Sequence, residues 1–231
     1  MNNPYFSLEQ FLKSFPILLA KLPYTLGIVA VILFFSVLFS LGIAFLRMRK
    51  NPVVRGITRV YISIMRGIPL MLLLFVAYYG VPLLLQLFGI DVSDVSPVVF
   101  AVIAFVLSTS AFCSEILRSS FEAVEKGQIE AAKAMSLPKA VYYRDIIIPQ
   151  ACILALPNLG SLVITAIKQS SILYTIGILD IYQRARMLSA DHFGVWQLEI
   201  FLALLLIYWG LAVLIDFSFS ALYKRMLKFI P

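Results

Sequence analysis

Apolar residues in this chain come in long runs, and the polar residues collect between them. Runs at about 23–46, 69–88, 97–117, 149–167 and 198–223 are long enough, or nearly so, for a bilayer core that takes about 20 helical residues. A segment inside lipid must satisfy its own backbone hydrogen bonds, which a helix does. The pattern therefore predicts an all-α membrane protein of five transmembrane helices. Pro157 and Gly160 mark the fourth run for a kink. Ahead of the first run, Phe6, Leu8, Phe11, Leu12 and Phe15 make one apolar face, which reads as an interfacial helix over 1–22. The leading residues lack the basic cluster of a cleavable signal. The membrane-spanning body is then 23–223, with a basic tail at 224–231.

Charge orients the spans. Arg47, Arg49, Lys50, Arg55 and Arg59 follow the first run, and Val60 to Met65 read as a turn of interfacial helix that ends at Gly67. Arg118, Lys126, Lys133, Lys139 and Arg144 follow the third run, and Lys224, Arg225 and Lys228 the fifth. Basic residues stay in the cytoplasm. The chain is thus expected to have its N-terminus outside, its C-terminus inside and a cytoplasmic loop at about 119–148. With only 13% charged residues against 61% hydrophobic, the net +7 reports this topology and not nucleic-acid binding. Cys113 and Cys152 sit near inner helix ends, where a disulfide is not expected.

The polar loop carries the most specific motif. Gly127 to Met135 favours a helix; Ser136 and Pro138 stop it and can open a second short one. Glu130-Ala131-Ala132, then Ser136, then Ile146 and Ile148-Pro149 follow at set distances. This spacing resembles the coupling (EAA) loop of permease subunits of type I ATP-binding-cassette importers, with Ser136 where that family usually has glycine. Arg66-Gly67-Ile68-Pro69, Pro149-Gln150-Ala151 and Lys168-Gln169-Ser170-Ser171 resemble motifs of the polar amino-acid branch.

The resemblance implies a multi-pass permease of a bacterial inner membrane, paired with an identical or related second permease subunit. Two cytoplasmic ATPase subunits that hold ATP and Mg, and an extracytoplasmic substrate-binding protein, are its implied partners. Glu130 would meet a basic residue of an ATPase, with Ala131, Ala132, Ser136, Ile146 and Pro149 shaping the loop; otherwise Glu130 is a solvated carboxylate. The implied cargo is a polar amino acid, and the reading leans to a sulfur-containing one such as cystine.

The chain itself has no phosphate-cradling Gly-x-x-x-x-Gly-Lys-Ser/Thr loop. Its one histidine, His192, cannot assemble a metal site or a nucleophilic triad. No cofactor and no catalysis are expected in it. Ionisable groups within spans are costly and often functional, which selects Glu115, Lys168, Arg66 and Asp216. Lys168 with Gln169, Ser170 and Ser171 could receive a substrate carboxylate, or Lys168 could snorkel to headgroups. Glu115 could act in transport or pair with Arg118. Asp216 reads as structural and Arg66 as part of a helix entrance. Ser108, Thr109, Ser110 and Ser114 give the third run a polar side, suited to helix packing or to a path. An ion-coupled carrier using Glu115 or Asp216 is the alternative, with uptake that ignores ATP.

Overall fold

The computed structural model describes residues 6–48 and 51–228, so Arg49, Lys50 and the extreme termini lie outside the described residues. It is all-helical. Helix α1 (Leu8–Leu19) is capped by Ser7, whose N–H also donates to Glu199 Oε1 at 2.7 Å, tying the start of the chain to its last helix. Among the described residues four helices are long and apolar enough to cross a bilayer: α2 (Leu22–Met48), α5 (Pro97–Glu122), α7 (Lys139–Ile176) and α9 (Gln197–Leu227).

The second expected span, at 69–88, takes another form. Helices α3 (Pro52–Gly67) and α4 (Leu70–Gln86) pass the same test only as a pair, bent by 105°. Pro69 causes the break, because it lacks an N–H and keeps Ile68 extended at φ −88°, ψ 131°. The sequence pattern puts most of 47–59 in a loop. Instead Asn51 Oδ1 accepts from Val53 N at 2.9 Å, Pro52 starts the first turn, and α3 runs through Arg55 and Arg59. At helical spacing Val53, Ile57, Val60 and Ile64 form one exposed stripe, Thr58 and Ile62 pack inward, and Arg55, Arg59 and Arg66 share a third face.

After α5 comes α6 (Lys126–Ala134), then a tight turn at Ser136, then α7. Helix α7 is longer than its apolar run. It opens before the run with a widened π turn over Tyr143–Ile147, ahead of Pro149, whose ring would crowd the Asp145 carbonyl in an ordinary turn. It passes through Pro157 and ends in a tight 3₁₀ stretch, Ser170–Ile176.

The polar stretch after Lys168 turns back into the protein. Gly177, at φ +79°, ends the helix, and Asp180 caps α8 (Ile181–Asp191). Leu173, Ile176 and Ile178 enter one core with Ile32 of α2, Leu74 of α4 and Phe105 of α5. Ile181, Ala185 and Leu188 enter a second with Leu18 of α1 and Ile200 and Leu204 of α9. This segment joins the two halves of the bundle. Small residues make the rest of the close packing: Ala101, Ala104 and Ala111 of α5 are fully buried, and Ser40 donates to Cys113 Sγ at 3.3 Å between α2 and α5.

Candidate functional site: a polar groove and a projecting loop

Between α5 and α7 lies a groove of about 590 Å³. From α5 it takes Ser108, Thr109, Glu115 and Arg118, and from α7 Asn158, Ser161, Thr165 and Gln169. The α7 residues recur at intervals of three or four, which puts them on one face of an otherwise apolar helix. Arg66, at the end of α3, closes one side with its guanidinium 5.5 Å from the Phe112 ring centroid.

Glu115 is not a bare carboxylate. Arg47 of α2 donates to its Oε1, and Arg118 Nε donates to its Oε2 at 2.9 Å. Arg118 also reaches Glu122 at 2.6 Å. These pairs tie the end of α2 to the end of α5 across one wall of the groove. A chamber offering both guanidinium and carboxylate groups, with neutral amide and hydroxyl groups between, can hold an ammonium and a carboxylate at once.

The other expected path residues are dispersed by helical geometry. Gln169 faces the groove, whereas Lys168 and Ser171 line a separate pocket of about 400 Å³ with Tyr182, Phe201 and Tyr208. Ser170 is buried and donates to the Ile167 carbonyl at 2.7 Å. Ser110 faces Tyr61, whose hydroxyl lies 3.0 Å away, and so serves the α3–α5 contact. Ser114 donates to the Ala111 carbonyl at 2.8 Å. The polar side of α5 thus divides between packing and groove. Asn158, Ser161 and Thr165 went unnominated, although their spacing is visible in the sequence.

The loop between α5 and α7 is built on its own apolar base. Val124, Tyr142, Ile147 and Ala151 are buried together, with Ile129, Leu137 and Ile146 packed on them. Glu130, Met135 and Ser136 stand exposed on the outer surface. Ala131 and Ala132 lie in α6, with their side chains outside the described residues. Pro149 borders a pocket that also takes Gln128, Cys152 and Met226.

Asp180 was missed because it reads as an ordinary loop residue. It is fully buried; Oδ1 accepts from Gln183 N at 2.8 Å, and Oδ2 has no partner among the described residues. Burial pushes its carboxyl up from 3.8 to about 6, while backbone donors pull the other way. The folded protein therefore holds this proton more tightly than the unfolded chain does. The contribution of this carboxyl to stability is thus fully present below about pH 4 and is lost, by on the order of 3 kcal/mol, as pH rises to about 6. Asp180→Asn keeps the cap and removes the charge. We expect thermal unfolding in detergent to show that slope in the native protein and to lose it in the variant.

Residues 36–228 match the family described as the binding-protein-dependent transport system inner membrane component. The L-cystine transport system permease protein TcyL of Bacillus subtilis (strain 168) is 39% identical over 215 residues, covering 92% of this chain and 88% of that protein. The probable amino-acid ABC transporter permease protein YckA of the same organism is 34% identical over 223 residues, covering 96% and 92%. A crystal structure of an amino acid ABC transporter with histidines superposes with a TM-score of 0.83 at 27% identity, covering 95% of this chain and 98% of that one. An inward-facing structure of the MetNI methionine ABC transporter shares the fold, with a TM-score of 0.71 at 18% identity over 91% of this chain and 96% of that one.

Proposed function

Because the chain belongs to the binding-protein-dependent transport system inner membrane component family, as the permease subunit of an ATP-binding-cassette importer for polar amino acids, we propose that the α5–α7 groove is its share of the substrate path. It is a multi-pass, non-catalytic inner-membrane component that works with a separate ATPase and a binding protein. The observation that carries the proposal is the α7 stripe of Asn158, Ser161, Thr165 and Gln169 facing Arg66, Glu115 and Arg118. An amino acid crossing the bilayer needs partners for both its charges, and an apolar wall supplies none.

In this reading the N-terminus is outside, the C-terminus is inside, and α6 is the coupling helix. The finer boundaries follow: 1–22 an interfacial helix, 23–223 the permease body with its coupling loop near 119–148, and 224–231 a basic tail. Two permease subunits, alike or related, enclose one path over two ATPase subunits that bind ATP and Mg. Closure of the ATPases on ATP moves Glu130 and its loop, and the apolar base under α6 passes that movement to α7. The α5–α7 groove then changes its accessible side. Lys168 and Ser171, in their separate pocket, would meet substrate before the groove does.

Cystine is the proposed cargo, supported by the likeness to the cystine permease TcyL. Uptake of labelled amino acids into proteoliposomes containing permease, ATPase and binding protein tests both points. Cystine competes best if the proposal holds. Uptake that follows an imposed proton gradient and ignores ATP contradicts it.

A further inference from the structure

The charges around the α5–α7 groove are not equally available to a substrate. Both oxygens of Glu115 are engaged, one by Arg47 and the other by Arg118, and Arg118 also holds Glu122. An ammonium entering the groove would have to compete with two guanidiniums for this carboxylate. Two arginines and two carboxylates thus balance one another along the wall. Arg66 is different: among the described residues it pairs with no carboxylate, and its guanidinium lies over the Phe112 ring, 5.5 Å from the centroid. A guanidinium held over a ring keeps the N–H groups of its edge, and that edge can fork both oxygens of a carboxylate.

The α7 wall has the opposite character. Ser161 donates its hydroxyl proton to the Pro157 carbonyl at 3.3 Å, and Thr165 donates its own to the Ser161 carbonyl at 2.8 Å. A hydroxyl whose proton is committed to its own helix offers only lone pairs to the groove. Lone pairs suit an ammonium and repel a carboxylate. The Asn158 amide, on the same face, adds a further acceptor oxygen. The α7 side is therefore suited to receive N–H groups and the Arg66 side to receive oxygens, and both border the same space of about 590 Å³.

We propose that Arg66 receives the carboxylate of the transported amino acid while the α7 hydroxyls receive its ammonium, so that the groove itself selects cargo by its carboxylate and fixes the direction in which it lies. Glu115 then holds the wall together and is not a substrate ligand. This rests on the reading of the groove as the substrate path, and it adds which protein groups meet which end of the cargo.

Labelled L-cystine is equilibrated with the assembled transporter in nanodiscs, without binding protein, and displaced by two analogues. Dithiodipropionate keeps the carboxylates and lacks the ammonium groups; cystamine keeps the ammonium groups and lacks the carboxylates. In the native protein dithiodipropionate should displace cystine more strongly than cystamine does, because a charged partner awaits only the carboxylate. Arg66→Gln should weaken cystine and dithiodipropionate at least about tenfold and leave cystamine nearly unchanged, and Arg66→Lys, which keeps the charge, should recover part of the loss. Asn158→Leu with Thr165→Val should show the reverse, weakening cystamine and sparing dithiodipropionate. Cystamine displacing cystine as well as dithiodipropionate in the native protein overturns the inference, whether or not the Arg66 variants assemble. Equal losses of all three ligands in Arg66→Gln overturn it in favour of a structural role for the arginine. Loss of binding in the α7 variant with Arg66→Gln unaffected also overturns it, but leaves the groove as the substrate path. No saturable displacement in the native protein overturns the groove reading together with it.

Discussion

Replacing Ser136 with proline should abolish ATP-driven uptake, whereas replacing it with glycine should preserve or raise it. Ser136 joins α6 to α7 at φ +55°, in the left-handed region that costs a non-glycine residue about 1 kcal/mol or more. Proline, held near −65°, cannot make this turn, so the angle between the two helices would change. Glycine adopts it without the Cβ clash, with the gain partly offset by its greater freedom when unfolded. The variant leaves the spans untouched. Yield and thermal unfolding should therefore stay close to native while uptake falls at least about tenfold in the proline variant, if α6 is the coupling element. An active proline variant would remove α6 orientation from the mechanism.

A bulky side chain at Gly160 should prevent the bundle from assembling. A Cβ at this position would lie 2.9 Å from both Cβ and Cγ of Phe219, the rigid base of that side chain, so α7 and α9 could not keep their separation. Alanine should cost about 1–3 kcal/mol, as overpacking does, and leucine substantially more. The direct check is the amount of monodisperse protein recovered and its unfolding midpoint, with Phe219→Ala added as a second change. Recovery in the double variant assigns the loss to this contact. Equal losses with and without Phe219 would place the cause elsewhere on α7.

The sequence and the structure agree best where one local rule decides. Uncharged runs such as 23–46 are long enough to span, and α2, α5 and α9 follow their runs closely, whereas α7 extends about ten residues beyond its run at both ends. The turn at Ser136 and Pro138 was also legible, since few residue pairs stop a helix so firmly. Helix α3 was not. Its arginines resemble a basic loop until their spacing is seen to put them on one face, with apolar residues on another. The bend at Pro69 has a local signal, but its 105° angle depends on packing.

The re-entry of residues 173–188 was indistinct for a similar reason. Ile176, Ile178 and Ile181 are separated by Gly177 and Asp180, so no apolar run announces them, and contacts with α1, α2, α4, α5 and α9 bury them. The substrate-path reading grouped Lys168 through Ser171 because they are neighbours in sequence. A helix turns them to different sides, and only Gln169 reaches the groove. Helical phase, applied to α7, would have selected Asn158, Ser161 and Thr165 instead.

The most direct test compares ATP hydrolysis and amino-acid uptake in the reconstituted transporter, with the native loop and with Glu130→Ala. The account predicts uptake that requires ATP in the native protein and falls at least about tenfold in the variant, with the permease still folded and groove variants not needed to produce the loss. Undiminished ATP-driven uptake by Glu130→Ala would contradict the assignment of this loop as the coupling element, and uptake driven by an ion gradient without ATP would contradict the importer mechanism itself.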